Sequence, residues 1–136
     1  MHQNARQYFK YFLEHKVEIY LSSIVVAEYS VKDDVFNLPL EFVKILPFDF
    51  FDGKVAGEFH SILISKRNQI ADIERNVIKD DCKLIAQIYN RKIAAYISKD
   101  KSSFGSIFKP LQEAKNFQVE LIDLEMPLNV YLGELF

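Results

Sequence analysis

The sequence predicts an α/β fold with a mostly parallel sheet, and three observations predict it. Strand-like and helix-like stretches alternate along the chain, the order of βαβ units. Within the helical stretches apolar residues recur on one face, while the strand stretches are short apolar runs bounded by turn residues. Of 136 residues, 49% are apolar and 26% charged, a globular balance with enough chain for one substantial core. One domain over residues 1–136 is expected, with no internal repeat, low-complexity tract or linker.

A helix begins almost at once, because Ala5, Tyr8, Phe9, Phe12 and Leu13 fall on one face. Residues 17–21 (VEIYL) read as a strand, and Ser22–Ser23 offers an N-cap for a helix through about Val31. Turn formers occupy 33–39. Residues 43–48 form a second strand that Pro47 ends, since proline cannot donate to a ladder. From Asp49 to about Lys66 the period is helical again, with Phe51, Val55, Phe59, Ile62 and Leu63 on one stripe and His60 half-exposed beside it. Residues 68–76 are polar and poorly periodic, a loop or short helix.

Asp80 and Asp81 then open an amphipathic helix whose buried face is Cys82, Ile85, Ala86 and Tyr89. Residues 94–98 make a strand, and Asp100 stands where it ends. Residues 105–116 read as a helix made irregular by Pro110; 117–124 (FQVELIDL) are the last strand, and 126–136 a tail.

Composition excludes several classes. A formal charge of −2 lacks the bulk positive footprint of a nucleic-acid binder, although a local basic rim could still meet phosphates. Cys82 is the only cysteine, which rules out an internal disulfide and fits a reducing, cytoplasmic setting. No signal-peptide pattern and no apolar run near ~18 residues is present, so neither export nor a membrane span is expected. Three scattered histidines and one cysteine give zinc no site, so any metal would be a hard cation on oxygen ligands. Twelve Phe and seven Tyr with no Trp predict an aromatic core.

Singly, each acid has a bland explanation. Asp80 or Asp81 can cap a helix or complement its dipole, and Asp100 can belong to a turn. Glu28 sits among apolar neighbours, and a buried carboxylate costs several kcal/mol without a partner, so it is expected to face a cation or a polar cleft. Parallel strands would gather Glu28, Asp81 and Asp100 at their carboxyl edge, where open α/β folds build sites. Carboxylates so close repel unless a divalent cation neutralises them.

At these residues the chain resembles a PIN domain, the fold of small metal-dependent ribonucleases that includes the VapC-type toxins of toxin–antitoxin pairs. Three blocks carry the resemblance: SSIVVAEY at 22–29, whose acid is Glu28; KDDCKLIAQ at 79–87, whose acid is Asp81 with Asp80 as the alternative; and ISKDKSSF at 97–104, which supplies Ser98 and Asp100. The family's first, central strand and its Asp are missing, because the chain opens on MHQNAR and no Asp precedes position 33. An N-terminally incomplete domain is therefore expected, with a strand and connection of about 15–25 residues upstream.

The resemblance implies a three-layer α/β/α arrangement and a Mg²⁺- or Mn²⁺-dependent endoribonuclease of the toxin class. It makes Glu28, Asp81 and Asp100 catalytic metal ligands. Asp80 and Ser98 would be secondary, with Ser98 orienting a carboxylate or water, and Lys99 and Lys101 would meet phosphate. RNA is the implied substrate, a cognate antitoxin the implied inhibitor, and a homodimer is permitted by Phe104, Phe108 and Phe136 if these are exposed. The alternatives are a catalytically inactive PIN-like module that binds RNA or antitoxin, and an unrelated α/β binding domain whose acids only cap helices.

Overall fold

The computed structural model describes residues 2–66, 75–99 and 101–133, with side chains at 3–66, 78–99 and 104–133. Among these residues the fold is mixed α/β, with six α-helices and four short strands. In order they are α1 (His2–Glu14), β1 (Tyr20–Ser22), α2 (Ser23–Tyr29), β2 (Lys44–Leu46), α3 (Phe50–Ser65), α4 (Arg75–Arg91), β3 (Ala95–Ser98), α5 (Lys101–Lys115), β4 (Glu120–Asp123) and α6 (Leu128–Tyr131).

The strands pair two by two. β1 runs parallel to β2 with Leu21 opposite Ile45, and β3 runs parallel to β4 with Ile97 opposite Ile122. Parallel pairing is as expected, but among the described residues the strands form two separate ribbons rather than one sheet. Each strand is only three or four residues long, and among the described residues no ladder joins one ribbon to the other.

The helices supply most of the core. α3, α4 and α5 pack on one another, with Ala56, Phe59 and Leu63 from α3, Cys82, Leu84, Ile85, Ala86 and Ile88 from α4, and Phe104, Ile107, Phe108 and Leu111 from α5. The aromatic core is present. Phe117 stacks on Phe59 at 6.1 Å between centroids and meets Phe108 edge-on at 5.2 Å. Such pairs contribute about 0.5–1.5 kcal/mol each beyond the area they bury. α1 lies against α6 and is fastened to the end of β4, where Asn4 and Tyr8 donate to the carbonyls of Leu124 and Met126 at 3.0 and 2.7 Å.

Several boundaries move, each for a local reason. The strand expected from residue 17 begins at Tyr20, because Lys16 turns into the left-handed region (φ 55°) and the Val17 N–H closes α1 on the Phe12 carbonyl at 2.9 Å. Lys92 and Asn116 end α4 and α5 with the same left-handed turn. α2 stops at Tyr29, two residues short of Val31, and β2 stops before Pro47 as expected. Among the described residues α4 already runs from Arg75, so neither Asp80 nor Asp81 caps it: both lie within the helix. Residues 68–74 of the expected loop lie outside the described residues.

On α3 the buried stripe is Asp52, Ala56, Phe59 and Leu63, and Phe51 is 67% exposed rather than inside. α5 starts at Lys101 and carries a buried Pro110 within it. The tail holds one further turn of helix, α6. Phe104 and Phe108 are core residues at 3% and 4% exposure, which removes them from any dimer surface, and Phe136 lies outside the described residues. Among the described residues no helix is long and apolar enough to cross a membrane.

Candidate functional site

The site grows from the junction of β1, α2 and α4. Ser22 ends β1 and caps α2, its hydroxyl oxygen accepting from the Ile24 N–H at 3.1 Å. The same hydroxyl donates to the side-chain oxygen of Gln87, a buried residue of α4. Gln87 in turn donates to the Leu46 carbonyl at 3.1 Å, so one amide ties the ends of both β1 and β2 to α4. Ser23 completes the junction by accepting from the Phe48 N–H at 3.0 Å. The joint fixes α2 against α4.

That packing brings acids of different elements together. Glu28, near the end of α2, is exposed rather than buried among its apolar neighbours, because every residue of this short helix keeps some contact with solvent. Its carboxyl is nonetheless held above the usual carboxylate range, first by partial desolvation and second by the Asp80 carboxylate. Asp80 also lies 3.8 Å from the Lys83 ammonium, one helical turn on.

Asp81 is half-buried in α4, and its charge reaches inward. The Tyr96 hydroxyl on β3 is pushed up to about 12 by burial, with the charges of Asp81 and then Glu28 adding to the effect. The Tyr96 ring stacks on Phe104 at 4.2 Å, which fixes where its hydroxyl can sit. α2, α4 and β3 thus contribute Glu28, Asp80, Asp81 and Tyr96 to one electrostatic neighbourhood.

The remaining expected residues are placed less completely. Ser98 is the last residue of β3, half-buried and in register with Asp123. Lys99 is exposed in the bend that follows, the solvated position a turn lysine ordinarily takes. Asp100 lies outside the described residues, and so does the side chain of Lys101, the first residue of α5.

In kind, the donors suit a hard divalent cation: they are carboxylates from two helices, with Glu28 raised first by desolvation and second by the Asp80 charge. In number the set is incomplete, since among the described residues no group of three or more His, Cys, Asp or Glu side chains is arranged to hold a metal ion.

Two residues of the site were not singled out from sequence. Tyr96 reads only as a strand residue, and its role depends on which acids the helices bring to it. Gln87 carried a faint signal, a polar residue inside the apolar run of 84–88, and a buried amide must be satisfied by something. No family model, no curated protein and no solved structure matches this chain.

Proposed function

We propose that the chain is a metal-dependent endoribonuclease of the PIN type, a toxin restrained by a cognate antitoxin that covers its acidic site. The observation that supports this reading is that Glu28, raised first by desolvation and then by the Asp80 charge, shares with Asp81 an electrostatic influence on Tyr96. A structural surface has no need of such like-charge crowding, whereas a cation-dependent phosphodiesterase does.

In this reading Glu28 and Asp81, with Asp100, would hold Mg²⁺ or Mn²⁺, which would supply polarisation of a phosphoryl oxygen and activation of water. Asp80 reinforces the negative field. Ser98 orients a carboxylate or water, and Lys99 and Lys101 meet the RNA backbone. Tyr96 stays protonated at every physiological pH and can donate a hydrogen bond toward the acids without adding charge. The finer architecture belongs to the same proposal: the two ribbons are halves of one mostly parallel sheet in a three-layer α/β/α domain.

The test is RNA cleavage in Mg²⁺ and in EDTA, by the chain as given and by a form extended with its upstream reading frame. Cleavage by the extended form that EDTA and Asp81→Asn both abolish is the expected result. A folded, extended, antitoxin-free protein that binds RNA without cutting it would replace this reading with that of an inactive PIN-like binding module.

A further inference from the structure

We draw no further inference here: the strongest candidate, the exposed aromatic patch of Phe50 and Phe51 at the start of α3, carries nothing because no feature of the structure shows what covers it.

Discussion

Arg91 holds the buried carboxylate of Asp52 through one guanidinium nitrogen, which donates to Oδ1 at 2.7 Å and to Oδ2 at 2.9 Å. Its other terminal nitrogen donates to the Pro47 carbonyl at 2.9 Å, so the end of α4 is locked to the start of α3 and to the turn after β2. Asp52 is 1% exposed and also closes a capping box with Asp49. Burial works to raise its pKa, but hydrogen bonds from Arg91, Asn90 and the Asp49 N–H together outweigh it and hold the carboxyl below the usual range.

Arg91→Ala leaves that carboxylate buried without its main partner. Breaking a buried pair costs about 3–5 kcal/mol, and because Arg91 keeps 24% exposure the lower end is expected. The pH dependence follows from the lowered pKa. The folded protein binds this proton less readily than the unfolded chain, so the stabilisation is present above about pH 4 and fades as pH falls through the folded value. Urea titrations of wild type and Arg91→Ala from pH 3 to 7 should show a gap that closes on acidification. A gap that is constant with pH would show that the pair contributes packing and no charge.

Gln87 makes a second prediction because one side chain serves two strands. Gln87→Leu keeps the volume but strands the Leu46 carbonyl and deprives the Ser22 hydroxyl of its acceptor. A cost of about 1–3 kcal/mol is expected. Ser22→Ala loses the cap of α2 as well, about 1 kcal/mol. The two changes share a hydrogen bond, so the double variant should be less destabilised than the sum, by at least about 0.5 kcal/mol. Strict additivity in denaturant unfolding would mean that α2 and β1 are not held by α4 in this way.

These contacts mark where sequence reasoning reached and where it stopped. The extent of α3 was legible because the apolar period runs from Asp49 through Leu63; its Asp49–Asp52 capping box emerges only in the structure. The stop at Pro47 was legible for the same kind of reason. The apolar period puts Phe51 on the stripe with Val55, Phe59, Ile62 and Leu63, yet the structure exposes it. Asp52 takes the inward place only because Arg91, 39 residues away, neutralises it. Asp80 and Asp81 imitate a helix opening, yet helix already runs through 75–79 ahead of them. At the candidate site, Glu28 and Asp81 are singled out from sequence only by residue type and by the resemblance. That Glu28 feels Asp80 depends on α2 meeting α4, as the Ser22–Gln87 bond ties them, a tertiary fact with no local signature.

Cys82 gives a third prediction. It is 1% exposed, and its thiol is pushed up to about 12 by burial, with the Asp81 charge adding to it. Only the thiolate reacts. Against an ordinary thiol near 8.5, that shift lowers the thiolate fraction at pH 8 by roughly a thousandfold. A disulfide reagent should therefore label the folded protein at least that much more slowly than the urea-unfolded chain, by absorbance of the released thiol. Comparable rates in the two states would mean that α4 around Cys82 opens freely to solvent.

Glu28→Gln separates the acidic site from an ordinary surface. A carboxyl whose folded pKa is raised binds its proton more tightly in the folded state, so ionising it works against folding. Below the ordinary glutamate value of about 4.3 both wild type and variant carry no charge there, and their stabilities should coincide. As pH rises through the raised folded value, the wild type alone loses stability, so at pH 7 in EDTA the variant should melt higher. Asp80→Asn should give a smaller gain, since that charge is the second cause of the shift and desolvation the first. A divalent cation reverses the ranking if these acids hold it. At a hundredfold excess over its dissociation constant, Mn²⁺ would stabilise the wild type by about 2.7 kcal/mol, and Glu28→Gln by much less. Thermal melts at pH 7, with Mn²⁺ and with EDTA, read both effects. A variant that melts lower than wild type in EDTA contradicts the crowding of Glu28. An equal rise of both proteins in Mn²⁺ removes Glu28 from the ligands while leaving Asp81 to be tested in the same way.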